Sequence, residues 1–320
     1  MVVCRAMPIL PPEGHDDRGR VLVIGSLNAD LVMQAPRLPR AGETVLGASF
    51  RVVAGGKGAN QAVAAARLGA RVAMIGRVGD DAFGALVRGE LTHAGVDIVY
   101  VRVDPESPTG TAQIVVDIDG QNAIVVASGA NARLDVRDVM HAAAAWEEAV
   151  VVVLQLEIPL VTTAATIAAA AGRGLPIVLN LAPVQPVPAD LLRAVTWLVL
   201  NEIEAEQLTG QPVRSVTEAG SAAAAIRHPG QRVVVTLGSA GAVLVHDGTP
   251  LHFAAPSVHA VDTTAAGDAF VGALAAGLQR RLSDADAVRL AIVAGSLACT
   301  KLGAIPSLPT AAEVEAHGVA

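Results

Sequence analysis

Asp268 closes the segment Val261-Asp262-Thr263-Thr264-Ala265-Ala266-Gly267-Asp268 and stands at the head of an apolar helical stretch, Ala269 to Leu278. Small residues ahead of a helix leave the backbone N–H groups of Ala265, Ala266 and Gly267 facing outward at its N-terminus, where aligned peptide dipoles favour phosphate charge. A carboxylate beside such a seat repels phosphate, so it needs a task. Taking the proton from an attacking hydroxyl fits the position. The plainer alternative is that Asp268 only complements the helix dipole, and the residues alone leave the two readings even.

Other chemistry-bearing residues stand at the ends of apolar runs. Asn28 and Asp30 follow the run Val21 to Gly25. An amide that both donates and accepts, next to a carboxylate that only accepts, suits adjacent sugar hydroxyls, although turn capping is the competing use. Glu157 follows another apolar run and precedes Pro159, where a solvated loop acid is the alternative. Asn201 and Glu204 have the spacing of a helix-capping box. Thr236, Gly238, Ser239 and Gly241 form a glycine-bearing strand end that suits a nucleotide or, equally, a hairpin turn. Gly55-Gly56-Lys57-Gly58 is no P-loop, because Arg51 and Gly58 stand where that pattern needs Gly and Ser or Thr. Its diglycine instead suits close approach of backbone to a ligand.

Asp262-Thr263-Thr264-Ala265-Ala266-Gly267-Asp268 closely resembles the second signature of the ribokinase, or phosphofructokinase-B-type, carbohydrate kinases. The stretch Gly55 to Ala64 is similar to their first signature, about 200 residues upstream. The likeness extends through Gly25 to Asp30, Leu156-Glu157, Asn201 to Glu204, Thr236 to Ser239 and Gly303 to Ser307, and so covers roughly residues 20 to 310.

The resemblance implies an ATP-dependent sugar kinase acting on D-ribose O5, with deoxyribose, fructose or pseudouridine kinases, or a non-catalytic sugar sensor, as the alternatives. It implies Asp268 as general base with an anion hole from Ala265, Ala266 and Gly267, and sugar contacts from Asn28, Asp30, Gly56, Lys57, Asn60 and Glu157. Nucleotide and Mg²⁺ positioning would fall to Asn201, Glu204, Thr236, Gly238, Ser239, Gly241 and Gly267. A K⁺ site would form at Asp262, Thr264, Ala298, Lys301, Gly303 and Ser307, chiefly from carbonyl oxygens. Two departures touch base contacts and cation-loop detail: Ile292 stands where a polar residue is common, and Ile305 where Gln is common.

Composition agrees with a cytoplasmic enzyme of small molecules. A net charge of −7 and only seven aromatic residues argue against nucleic acid. Mean hydropathy is +0.49, yet the uncharged stretches are too short or too broken by Pro to span a bilayer. Cys4 and Cys299 lie far apart, which gives neither a disulfide framework nor a local zinc site. Residues 1–20, rich in Pro and mixed charge, read as a disordered extension or an over-long start, with Met7 a conceivable initiator.

The elements that must position these residues read as α/β. Near-continuous apolar strands alternating with Ala-rich helices imply a three-layer sandwich, a mostly parallel central sheet with helices on both faces. Two regions break that rhythm, about 31–54 and 98–128, the second with a turn at Asp119-Gly120; they are expected to meet as one small sheet, which in the resembling family is a lid and a homodimer surface. The kinase domain is expected over 21–310 and a C-terminal tail over 311–320. A single helix is expected over Val136 to Trp146.

Overall fold

The computed structural model describes residues 19–119 and 121–318, so the expectations for the N-terminal extension, for Met7 and Cys4, and for Gly120 fall outside the described residues. Its strands, in chain order, are β1 Arg20–Ile24, β2 Asn28–Gln34, β3 Ser49–Gly55, β4 Val72–Gly79, β5 Val101–Asp104, β6 Gly110–Val116, β7 Asn122–Ala127, β8 Ala149–Leu154, β9 Ile177–Asn180, β10 Trp197–Asn201, β11 Arg232–Thr236, β12 Ala242–Val245 and β13 Pro250–Phe253. The helices are α1 Lys57–Arg67, α2 Ala82–His93, α3 Val136–His141, α4 Ala143–Glu148, α5 Leu160–Gly172, α6 Ala189–Ala194, α7 Glu202–Thr209, α8 Val216–Ile226, α9 Ala266–Gln279, α10 Asp284–Ala298 and α11 Ala311–Glu315.

Among the described residues nine strands form one sheet, ordered β13-β12-β11-β10-β9-β8-β1-β4-β5, and β3-β2-β6-β7 form a second, separate sheet. The large sheet is parallel from β11 to β5; at the other edge β11, β12 and β13 pair antiparallel in a meander, so that β12 alone among these strands runs against the rest. Parallel strands need crossovers and are buried on both faces, which is why β4 and β8 are almost continuously apolar. One face packs against α1, α2, α9 and α10, the other against α3 to α8, which gives the expected three layers.

The small sheet is built by two excursions of the chain. Residues leave after β1 to form β2 and β3 and return through α1; they leave again after β5 to form β6 and β7. Strand β5 itself corrects the expected lid segment 98–128: it pairs in parallel with β4 and extends the large sheet. Its four residues, Val101-Arg102-Val103-Asp104, alternate apolar and charged, a pattern that an edge strand of either sheet satisfies, so periodicity could not place it. The helix expected over 136–146 is also two helices, broken at Ala142, whose ψ of 44° leaves the helical region. Trp146 is the cause within reach: its indole N–H turns back to the Val139 carbonyl at 2.8 Å, and the break lets the ring into the core.

Helices α1 and α9 approach unusually closely. A Cβ at Gly272 would lie 2.5 Å from Ala64 Cβ and 2.6 Å from the Gln61 carbonyl, so only glycine permits the contact. The Ala-rich faces of both helices follow from the same need, and the contact sets Asp268, one turn before Gly272, against the first turn of α1.

Candidate active site

The order of the large sheet places β1 between β4 and β8, so the chain turns to one side after β1 and later to the other. The loops after β1 and β8 therefore part, and the crevice between them is where an open α/β sheet offers a ligand site. The Ser26 hydroxyl donates across it to Glu157 Oε2 at 2.5 Å, and the Lys57 N–H approaches the same oxygen at 3.3 Å. The diglycine makes this possible. Gly56 has φ of 89°, and a Cβ there would stand 2.8 Å from Asn28 N; at Gly58 it would stand 2.7 Å from the Gly25 carbonyl carbon.

Asn28 and Asp30 lie two apart on β2, on the same face and both buried. Gly55 faces Asp30 from β3, where a Cβ would be 2.1 Å from the Asp30 carboxylate. Asn131, in a single 3₁₀ turn, braces the pair: its Nδ2 donates to Asn28 Oδ1 at 2.7 Å and its Oδ1 accepts from Leu27 N at 2.8 Å. A cavity of about 340 Å³ runs beneath the small sheet from Asp30, Val53 and Ile114 to Asp262, Thr263 and Gly303.

Asp268 sits in the first turn of α9, buried, with Oδ2 accepting from Asn60 Nδ2 and Oδ1 from Gln61 Nε2, both at 2.9 Å. The Asn60 amide is thereby oriented, and its Oδ1 is a buried acceptor without a partner. A sugar hydroxyl would supply the missing donor, and an unfilled buried acceptor costs about 1–3 kcal/mol. The helix begins from Ala265, a non-glycine residue at φ 60°, a conformation that costs of order 1–3 kcal/mol. No side chain caps α9, and Ala266 N–H makes only a long bond of 3.3 Å to Thr263. A Cβ at Gly267 would meet nothing within 4 Å, so packing does not demand glycine there; its absence of a side chain keeps the space before the amides clear. Uncapped amides, open space and a carboxylate on one turn fit an incoming phosphate and a hydroxyl to be deprotonated.

The electrostatics are lopsided. Burial pushes the Asp30 carboxyl up to about 7, with the charges of Glu157 and Asp268 adding and Lys57 opposing. Burial also raises Glu204, against the Asn201 backbone bond and Lys57. Burial disfavours the Lys57 ammonium, but Asp268, Glu157, Glu204 and Asp30 outweigh it and raise its pKa above the ordinary lysine value. One cation thus serves four carboxylates.

Asn201 and Thr236 pair across β10 and β11. Asn201 and Glu204 do form the capping box of α7, each side chain bonded to the other's backbone N–H at 2.8 Å. The glycine-bearing strand end is a hairpin: Gly238 and Gly241 have positive φ, and a Cβ at Gly241 would strike the Phe253 carbonyl at 2.0 Å. Both local readings hold, and neither prevents a ligand from using the same groups. Ser239 lies in that turn.

In the loop before α9, Asp262 Oδ1 accepts from the Thr264 N–H and hydroxyl, while Oδ2 accepts from Gly303 N at 2.8 Å, which ties the 262–264 and 303 segments together. The Ala298 carbonyl accepts a long bond of 3.4 Å from Lys301 N. The Lys301 ammonium turns away to Glu313, and the buried Ser307 hydroxyl donates to the Ala304 carbonyl. No group of three or more His, Cys, Asp or Glu is placed to hold a metal ion among the described residues. The donors this loop offers are its backbone carbonyls and the Asp262 carboxylate, oxygen groups of the kind that suit a hard cation. Ile292 and Ile305 are both buried in the core.

Four positions escaped the sequence reading. Gln61, Asn131, Gln155 and Asn180 are buried and hydrogen-bonded around the site. A pattern does mark two of them: β8 and β9 are apolar runs closed by one polar residue, Gln155 just after Leu154 and Asn180 just after Leu179, as Asn201 and Thr236 close their own strands. Asn131 stands in a second Gly-Ala-Asn, repeating Gly58-Ala59-Asn60.

This architecture is that of a class of carbohydrate kinases. The family model described as pfkB family carbohydrate kinase matches residues 18–311, and the chain belongs to that family. Among its relatives, the ribokinase of Haemophilus influenzae is 37% identical over 297 residues, covering 92% of this chain and 97% of that one. The Bacillus subtilis ribokinase is 38% identical, over 92% and 98% of the two chains. A Salmonella typhi deoxyribokinase is 34% identical, over 91% and 95%. The structure of Arabidopsis thaliana ribokinase complexed with ribose and ATP superposes with a TM-score of 0.84 at 35% identity, covering 93% of this chain and 98% of that one. The Burkholderia thailandensis nucleoside kinase in complex with inosine gives 0.74 at 26% identity, over 93% and 95%.

Proposed function

We propose that this sugar kinase transfers the terminal phosphoryl group of ATP to O5 of D-ribose, giving ribose 5-phosphate and ADP. The observation that carries the reading is the single turn in which Asp268, held by Asn60 and Gln61, stands beside the uncapped amides of α9. The sugar lies between Asn28, Asp30, Gly56, Lys57, Asn60 and Glu157, with Asn60 Oδ1 accepting one of its hydroxyls. Asp268 takes the O5 proton as that oxygen bonds to the phosphorus and the bond to the bridging oxygen of ADP breaks. The amides of Ala265, Ala266 and Gly267 stabilise the charge that spreads over the transferring group. ATP lies along Asn201, Thr236 and the Gly238–Gly241 turn.

Mg²⁺ arriving with ATP would be held through water by Asn201 and Glu204 and would offset phosphate charge. K⁺ would be held by the 262–264 loop with carbonyls of Ala298, Lys301 and Gly303, close to Ser307, and would place positive charge beneath the anion hole. The small sheet covers the cavity and, through β7, whose six residues are all exposed, provides the surface for a homodimer. Among the described residues no helix is long and apolar enough to cross a membrane. A cytoplasmic enzyme of small molecules, without nucleic-acid or membrane partners, is the setting that fits.

Asp268→Asn keeps the shape and removes the base. Turnover should fall about 10²–10⁴-fold, with sugar affinity by calorimetry changed less than about fivefold; turnover within tenfold of the parent would refute the assignment. Phosphorylation of D-ribose, 2-deoxyribose, fructose and inosine, read as ADP release with and without K⁺, ranks the substrates. A deoxyribose or nucleoside preference would move the chain to the kinases named among its relatives.

A further inference from the structure

Gln61, which bonds Asp268, lies at the centre of a buried amide chain whose other members, Gln155 and Asn180, have no part in the proposed reaction. Its Nε2 donates to Asp268 Oδ1 at 2.9 Å and to Asn180 Oδ1 at 3.1 Å, while its Oε1 accepts from Gln155 Nε2 at 2.6 Å. Gln61 and Gln155 are fully buried and Asn180 nearly so. Both amide hydrogens of Gln61 are therefore spent, and water does not compete for them.

The chain has a direction, set by elementary donor and acceptor rules. A carboxylate only accepts, so Gln61 must turn its NH₂ toward Asp268. Its oxygen must then face Gln155, and Gln155 must answer with its own NH₂. The Gln155 oxygen is left over, and it is indeed a buried acceptor without a partner, pressed against Gly25, where a Cβ would lie 2.0 Å away. A buried acceptor left unmet is costly, and a core that needed only volume would use Leu or Met at these places. The cost falls at the far end of a chain whose other end is the base.

We infer that Gln61, locked by Gln155 and Asn180, is a positioning residue for the Asp268 base. This inference rests on the base reading of Asp268. Gln61 holds Oδ1 from the inner side, so that Oδ2, on the side of Asn60, is the oxygen presented to the sugar hydroxyl. A neutral amide suits this role because it steadies the carboxylate without a proton of its own to hand over. The charged groups that also face Asp268, namely Lys57 from α1, Asp30 from β2 and Glu204 from α7, act through space and do not fix its rotation.

Gln61→Met keeps the volume and removes both donors. Its kcat should fall about 10- to 100-fold, with the KM for the sugar and its calorimetric affinity within threefold of the parent, because the group positions the base rather than the substrate. Gln155→Met leaves Gln61 in place but frees it to turn, and should lower kcat by a smaller factor, about three- to tenfold, again at constant KM. Sugar binding by each variant, measured by calorimetry, shows that it is folded. A Gln61→Met kcat within twofold of the parent, or kcat and KM moving together in both variants, would overturn the inference and leave Gln61 a packing residue. An active Asp268→Asn enzyme refutes the base itself; an inactive one combined with a normal Gln61→Met enzyme removes only the positioning role.

Discussion

Two charge clusters, each with a buried centre, stand at the C-terminal ends of the strands of the large sheet, and they are balanced differently. At the β4–β5 edge Arg77 bridges Asp104 at 3.0 Å and Asp138 at 2.6 Å, Arg102 meets Asp138, Arg133 meets Asp104 and Glu106, and Arg137 meets Asp135. Four guanidiniums face four carboxylates. At the β1–β8 crevice Lys57 alone faces Asp30, Glu157, Glu204 and Asp268. In the first cluster burial would raise Asp104, but the Glu106 N–H and the guanidiniums of Arg133 and Arg77 outweigh it and hold the carboxyl below its ordinary range. In the second nothing does so for Asp30, which rises to about 7. Paired charges secure a fold, whereas an excess of one sign in a crevice costs stability until a ligand with hydroxyls and cations completes it.

Three substitutions test that contrast, ordered by expected effect. Arg77→Met should be the most damaging to stability, by about 3–5 kcal/mol, because it strands Asp104 and Asp138 below the surface. Denaturant unfolding measures this, and a loss under 1 kcal/mol would mean that Arg102 and Arg133 suffice. Asp30→Asn should do the opposite and stabilise the sugar-free protein while weakening sugar binding. The sign follows from linkage. Between the ordinary Asp pKa of 3.8 and about 7 the folded state holds a proton that the unfolded chain has shed, so stability falls as pH rises through that window. At pH 8 the variant should be the more stable by on the order of 1–3 kcal/mol, with the gap closing toward pH 4. Equal gaps in unfolding midpoint at both pH values would contradict the buried-acid account. Arg137→Ala, which removes a largely exposed ion pair of the same balanced cluster, should cost less than about 1 kcal/mol; a loss approaching that of Arg77→Met would show that number of pairs rather than burial sets the stability.

Much of this protein was legible along the chain because it rests on short-range rules. The strands of the large sheet were visible as apolar runs, and the spacing of Asn201 and Glu204 marked the capping box that begins α7. The diglycine Gly55-Gly56 read as an approach to a ligand, whereas Gly56 and Gly58 lie against the backbone of residues 25–28; Asp268 stood out at the end of a run of small residues, with dipole complement as its other reading. The assignment of β5 to the large sheet was not legible, since four alternating residues fit either sheet and only pairing with β4 decides between them. Nor was the break at Ala142, which follows from where the Trp146 ring finds its cavity and carbonyl.

The environment of the base depended most on tertiary structure. Gln61 meets Gln155, Asn180 and Asp268 across separations of 94, 119 and 207 residues. Polar residues at strand ends and a glutamine in a helix are common in any α/β chain, so local pattern gives them no role. Their convergence depends on the parallel register of β8 and β9 and on the glycine-permitted contact of α1 with α9. The sequence by itself determined the apolar strands of the large sheet and which carboxylate stands at the head of α9. Packing decided which amides hold that carboxylate, because hydrogen-bond direction acts over about 3 Å and has no counterpart in the spacing of residues along the chain.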